Sequence, residues 1–349
     1  MFLGVDVGTG GTRAVLVDRT GTVVASCASE HAPIRSEHIG WAEQEPEDWW
    51  RAAREAIAGA IAASGLAGTE IEAVGLTGQM HGCVMLDADG NVLRPALIWC
   101  DQRTQPECDW LTEKIGFERL IELTCNPALP NFTLTKLLWV RKHQPEIFRK
   151  IAHVLCPKDY VRYRMTGEFA MDVQEASGTL LLDVTHRRWS QEVAEAAGIP
   201  MAWLPGLFEG PEICARVSDV GAGATGLAAG TPVAAGAGDQ GGRFAHARIV
   251  GAHERASAAS RRQREQVSSW REPNSQPRIS WRLARRGACG KTLSCSWPQA
   301  KRATTARPPS WCGATLMMAG TVVMFETSPN RGFGLGRLGV QPLGRSLVP

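Results

Sequence analysis

An aspartate set among small residues at the end of an apolar run, in "VAAGAGDQ" at residues 233–240, has a carboxylate with room around it. The glycines before it let a substrate come close, and a carboxylate there can accept a hydroxyl proton, so Asp239 is a candidate general base. A turn aspartate is the plain structural alternative. At the other end of the chain, "VDVGTGGTRAVLVD" offers a phosphate loop. The backbone N–H groups of Thr9, Gly10, Gly11 and Thr12 can converge on phosphate oxygens as a nest, since glycine permits close approach. Asp6, on the strand just before, would face a metal–phosphate unit, and Arg13 would add positive charge. A dinucleotide fingerprint is excluded because its glycine loop must open a helix, and here a strand follows. The structural alternative is a hairpin with a glycine-rich turn.

Two further stretches bear on chemistry. "TGQMHG" places Gln79, Met80 and His81 in a loop after a strand, where ligand contacts are common in α/β folds, although a lone histidine is more often structural. "RRGACGKT" looks like a Walker A loop, but the residue five places before Gly290 is Arg285 rather than glycine, and no strand precedes it.

These residues need elements to hold them. The opening alternates strand and turn through "FLGVDV", "RAVLVD" and "VVASCASE", an antiparallel meander. "EPEDWWRAAREAIAGAIAASG" has apolar residues at helical spacing, acids in its first turn and Gly65 near its end. "IEAVGLTGQMHG" reads as a buried strand entering a loop. "CVMLD", "ADGN" and "VLRPALIWCDQR" form a hairpin whose second arm delivers Asp101 and Arg103 at a strand end. Helices are expected around "TKLLWVRKHQPEIFRK" and "SQEVAEAAG", with loops between, giving an α/β fold long enough to bury its own core.

Charge divides the 349-residue chain sharply. Residues 1–240 carry 20 Lys and Arg against 31 Asp and Glu, whereas 241–349 carry 18 against 4, with no aspartate. A basic arm of that kind can bind nucleic acid by releasing counterions. The plainer reading is text that never evolved as protein, because Arg, Ser, Pro, Gly and Trp mix there without sustained periodicity. Ten cysteines show no C-x-x-C pair, so neither a zinc site nor a disulfide framework is indicated, and free thiols in a reducing cytoplasm are expected. No run reaches 18 consecutive apolar residues, so no membrane partner is expected.

The ordered set "GVDVGTGGTRAVLVD", "GWAEQEPEDWW", "GLTGQMHG", "LRPALIWCDQR", "NFTLTKLLWVRKHQPEIF", "LCPKDYVRYRMTGEFAMD", "ASGTLLLDV" and "GAGDQ" closely resembles the FGGY carbohydrate kinases, and among them the xylulokinases. The resemblance covers residues 1–240. It implies an actin-like, ribonuclease-H-like first domain that holds the sugar, with phosphoryl transfer from ATP and Mg2+ to the terminal hydroxyl of D-xylulose. It gives Asp239 the part of catalytic base and Asp6 that of the acid near magnesium. It gives Thr9 to Thr12, with Arg13, the phosphates. Met80 and His81 line the sugar site, and Gln79, Asp101 and Gln240 join them as expected substrate contacts. In relatives an asparagine is common where Gln240 stands. The family continues into a second actin-like domain, of which 241–349 bears no sign; that segment reads like translation in a shifted frame. A homodimer, a cytoplasmic location and no nucleic-acid partner complete the expectation. A non-catalytic sugar-binding remnant and a nucleic-acid-binding fusion are the alternatives.

Overall fold

The computed structural model describes residues 1–239 and the backbone of two short strands, Thr315–Met318 and Thr321–Met324. These two strands belong to the second of two units, Arg271–Pro349, and pair antiparallel from Thr315 opposite Met324 to Met318 opposite Thr321. That ladder was not expected from the sequence, and alone it would be marginal in water. Gln240, the Walker-like decoy and the other expectations for 241–349 lie outside the described residues.

The first unit is built on a seven-stranded sheet. In chain order its strands are β1 (Phe2–Val7), β2 (Gly11–Val17), β3 (Val23–Glu30), β4 (Ala73–Gly78), β5 (Ile213–Arg216), β6 (Pro232–Ala234) and β7 (Ala237–Gly238). Spatially they run β5-β6-β4-β1-β2-β3, with β7 continuing beside β4. The meander β1-β2-β3 is antiparallel, while β4, β6 and β7 are parallel to their neighbours at the centre.

Period-two alternation sends Leu3, Val5, Val7, Ala14, Leu16, Val74, Leu76 and Val233 to one face, all buried. Against them pack Trp49, Ala53, Ala56, Ile57 and Ala60 of α1 (Pro46–Ser64) and Tyr160, Val161 and Met165 of a later helix, Pro157–Thr166. Helix α1 begins with Glu47 and Asp48 in its first turn, where the positive end of the helix dipole favours acids. It ends at Gly65, in the left-handed conformation at φ 69°. A second core gathers around α2 (Thr133–His143), whose Thr133–Val140 are all buried, with Gln105–Ile115, Phe117–Thr124 and Gln191–Ala197 packed about it. The helix expected around 135–150 is present as two, Thr133–His143 and Pro145–Phe148, and that around 190–198 as Gln191–Ala197; Gln105–Ile115, Phe117–Thr124 and Pro157–Thr166 were not foreseen.

One irregularity decides the site. Val233 lies opposite Val74, but Ala237 lies opposite Thr77, so one extra residue is inserted between β6 and β7. Gly236, at φ 81°, absorbs it, and a Cβ there would sit 2.0 Å from the Leu76 carbonyl oxygen. Such a bulge switches the alternation. It moves Ala237 from the face of Val233 to the face that carries Asp6 and Thr77. Gly236→Ala should therefore cost more than about 2 kcal/mol in urea denaturation, since left-handed backbone alone costs a non-glycine residue roughly 1–2 kcal/mol. A loss under about 1 kcal/mol would show that the bulge relaxes freely.

Candidate active site

The ends of three central strands lie side by side: Val7 is opposite Gly78, and Gly78 is opposite Gly238. Beyond the first two the chain turns, at Gly8–Gly10 and at Gln79–His81, and Asp239 directly follows Gly238. One row back, Arg13, Asp6, Thr77 and Ala237 are lateral neighbours across four strands. Asp6 is half-buried and engaged, whereas Asp239 is exposed. The Thr77 hydroxyl in this row is buried without a hydrogen-bond partner among the described residues. The two carboxylates expected to do chemistry thus stand on central strands that end side by side, Asp6 within β1 and Asp239 just past β7.

The glycine turn differs from the expected nest. The Gly8 N–H donates to the Gly11 carbonyl at 3.0 Å, closing a tight hairpin. None of Gly8, Gly10 and Gly11 has positive φ, so the alternating left-handed geometry of a nest is not formed. Gly11 and Thr12 already belong to β2, and Thr12 is buried with its hydroxyl 2.9 Å from His31 Nε2. Only Thr9 and Gly10 remain at the tip, where Gly10 is exposed and has open space beside its Cα. Arg13 is exposed on the strand behind.

The tip is braced from below by residues the sequence reading did not single out. Gln44 Nε2 donates to the Thr9 carbonyl at 2.8 Å, and Trp99 Nε1 donates to Thr9 Oγ1 at 3.0 Å. Gln79, expected to meet substrate, serves the same brace: its N–H donates to the Val7 carbonyl, and its Nε2 to Gln44 Oε1 at 3.0 Å and the Gly8 carbonyl at 3.3 Å. Its Oε1 is buried without a partner among the described residues, the one polar atom of this side chain left to a ligand.

Asp101 is a correction. It is fully buried, and both carboxylate oxygens are taken by Arg103, with Oδ2 also accepting the Ala42 N–H at 2.7 Å. A strand-end aspartate two residues before an arginine pairs with it, and here the Arg103 guanidinium lies 3.7 Å from the Trp41 ring centre and 4.9 Å from that of Trp139. Asp101 fixes the Trp41 loop instead of meeting a ligand.

Met80 is half-buried, with its Cγ 2.8 Å from where a Cβ on Gly238 would stand, so glycine at 238 is what lets the Met80 turn and the Asp239 turn touch. His81 Nδ1 lies 2.8 Å from the Gly178 carbonyl, which assigns the proton to Nδ1 and leaves Nε2 to accept from a ligand. Burial pushes this imidazole down to about 4, aided by the charge of Lys136 and opposed by the Gly178 bond. The ring is therefore neutral at physiological pH. Because the folded value lies below the unfolded one, the contribution to stability is present above about pH 6.5 and is lost as pH falls toward 4. A His81→Gln chain should lose less stability over that window, as read by thermal melts at pH 7 and pH 4.5; identical losses would contradict the assignment.

Behind the site lies a fully buried ionic group. Lys158 Nζ is 2.6 Å from both Asp159 Oδ1 and Asp172 Oδ2, and Arg162 Nη2 is 2.7 Å from Asp159 Oδ1. Asp172 also caps the short helix Val173–Ser177, accepting the N–H groups of Gln174 and Glu175. The sequence signal for it is "PKDYVR", whose charges read as a solvated stretch when taken alone.

Among the described residues no group of three or more His, Cys, Asp or Glu could hold a metal by itself. No helix among them is long and apolar enough to cross a membrane. The seven cysteines among them are free thiols.

Residues 1–243 match the N-terminal domain of the FGGY family of carbohydrate kinases. The chain is 44% identical over 239 residues to the xylulose kinase of Escherichia coli strain K12, covering 68% of this chain and 48% of that one. It is 41% identical over 237 residues to the xylulose kinase of Bacillus subtilis strain 168, covering 68% and 47%. Among solved structures, it is similar to the xylulose kinase of Rhodospirillum rubrum, with a TM-score of 0.66, 31% identity and coverage of 68% and 49%. It is also similar to a gluconate kinase from Lactobacillus acidophilus, with a TM-score of 0.63, 26% identity and coverage of 68% and 48%. The chain spans about half the length of the curated relatives it matches.

Proposed function

Because this chain belongs to the FGGY family of carbohydrate kinases, we propose that its first 240 residues bind a ketopentose, D-xylulose, and supply the base for moving the γ-phosphoryl group of ATP onto the terminal hydroxyl of the sugar. The α/β fold expected from the sequence is the actin-like, ribonuclease-H-like domain of sugar kinases. Two full-length relatives are named xylulose kinases, and the sugar is taken from those names. The observation that supports the reading is the bulge at Gly236, after which Ala237 stands beside Thr77 in the row of Asp6, and Gly238, the residue before Asp239, stands against Met80.

In this reading His81 Nε2 accepts a hydrogen bond from a sugar hydroxyl, and Met80 packs on the carbon chain. Asp239 takes the proton of the attacking hydroxyl as the new O–P bond forms and the bond from the γ-phosphorus to the bridging oxygen breaks, releasing ADP. Exposure suits Asp239 to this step, since the base must be reached by substrate. A carboxylate such as that of Asp6 fits magnesium, which keeps waters and phosphate oxygens as its other ligands. Bound there, the ion would neutralise charge on the phosphates; Thr9 and Gly10 would face them from the turn. The reading goes with a cytoplasmic location and a homodimer, without nucleic-acid or membrane partners.

Phosphoryl transfer tests it. Residues 1–239 joined to the remaining half of a full-length xylulose kinase should form D-xylulose 5-phosphate from ATP, read by phosphorus NMR. A folded chimera that phosphorylates no ketopentose would overturn the proposal.

A further inference from the structure

His81 has φ 66°, a left-handed conformation that is strained for a residue with a side chain. Such strain persists only where the surroundings over-determine it. Here they grip the residue from every side. The His81 N–H donates to Glu175 Oε1 at 3.2 Å. Its carbonyl accepts from Lys136 Nζ at 2.9 Å and from Thr133 Oγ1 at 3.2 Å. Its ring meets the Gly178 carbonyl at Nδ1 and stands edge-on to Phe132, with centres 5.0 Å apart. Glu175 and Lys136 are both fully buried, and they come from different elements, the helix Val173–Ser177 and α2.

Glu175 reaches further. Its Oε2 is buried without a hydrogen-bond partner among the described residues and lies 2.9 Å from where a Cβ on Gly238 would stand. One carboxyl group therefore touches the His81 peptide and the backbone just before Asp239. We infer that Glu175 and Lys136 are positioning residues: they clamp the His81 peptide from both sides in its left-handed turn, and Glu175 ties that turn to the Asp239 strand end so that imidazole and carboxylate face one ligand. The identity of that ligand rests on the function proposed above; the clamp itself does not.

The charge around Glu175 sets its form. Lys158 and Arg162 stand against Asp159 and Asp172, two cations to two anions, leaving no counter-charge for a third carboxylate. Burial pushes the Glu175 carboxyl up to about 8, with Lys158 opposing and Asp159 and Asp172 adding to the rise. Burial thus favours its neutral, protonated form. A glutamine has the same shape and the same accepting oxygen, so Glu175→Gln should preserve the clamp, whereas Glu175→Met keeps the volume and removes the acceptor.

The test uses the full chain with 15N-labelled histidine, reading the ring tautomer and shift of His81 by NMR, with D-xylulose affinity measured in parallel. Glu175→Gln should leave the His81 signal in place and the affinity within about threefold. Glu175→Met, folded by near-UV circular dichroism, should displace the His81 signal and weaken sugar binding roughly tenfold or more, since small misplacements of site groups are costly. A folded Glu175→Met chain with the wild-type His81 signal would overturn the inference. If Glu175→Met does not fold, adding His81→Gly should restore folding, because relief of the left-handed strain removes the need for the clamp. Continued failure to fold would overturn it, since Glu175 would then serve the core and not the turn. A wild-type chain that binds no ketopentose, while the His81 signal responds as stated, would sink the proposed substrate and leave the clamp standing.

Discussion

Replacing Lys158 by methionine should destabilise the first domain by about 3–5 kcal/mol, the cost of leaving buried charge without its partner. Lys158 is fully buried and bridges Asp159 and Asp172 at 2.6 Å each. Burial pulls its ammonium down, but the two carboxylates outweigh that and hold it above the usual lysine range. Without it Asp159 keeps Arg162, while Asp172 keeps only the N–H groups of Gln174 and Glu175. Urea denaturation of the full chain measures the loss. Adding Asp172→Asn should recover part of it, because the second change removes the uncompensated charge. A loss under about 1 kcal/mol for Lys158→Met would show that these groups are not a dry, mutually dependent set.

The second large effect is on turnover. In the chimera described above, Asp239→Ala should lower kcat by about 10²–10⁴-fold, the usual contribution of general-base catalysis. The base acts on the hydroxyl proton only as the phosphoryl group moves, so the loss should fall on kcat and leave KM for the sugar nearly unchanged. Steady-state kinetics over a range of D-xylulose concentrations separates the two. Equal turnover with and without Asp239 would mean that the exposed carboxylate at the end of β7 is only a turn residue.

Local periodicity made much of this fold readable. The meander, α1 with its acidic start and Gly65 end, and the buried strand at 73–78 follow from alternation or helical spacing within each segment. The helix Pro157–Thr166 escaped because it buries Lys158, Asp159 and Arg162 along with Tyr160, Val161 and Met165, so charges interrupt the hydrophobic stripe that would have marked it. The site was legible as residue types and less so as geometry. The strand ends that precede or carry Asp6, Met80, His81 and Asp239 do lie side by side. Asp101 looked like a ligand because a strand end usually offers one, yet Arg103, two residues on, claims both oxygens. The run Thr9, Gly10, Gly11 and Thr12 suggested a nest, but none of the four is at positive φ. The bulge at Gly236 could not be read at all, since a register shift exists only relative to Leu76 and Thr77 on another strand.

Calorimetric titration of D-xylulose into the 349-residue chain tests whether this domain holds a ketopentose between His81 and Asp239, as proposed. Binding should be saturable, and His81→Ala should weaken it by about tenfold, the worth of one hydrogen bond to a sugar hydroxyl. Asp239→Ala should bind within about threefold of the unaltered chain, since its work lies in the transfer step. No detectable binding of D-xylulose by the folded chain, or loss of binding in Asp239→Ala with none in His81→Ala, would contradict it.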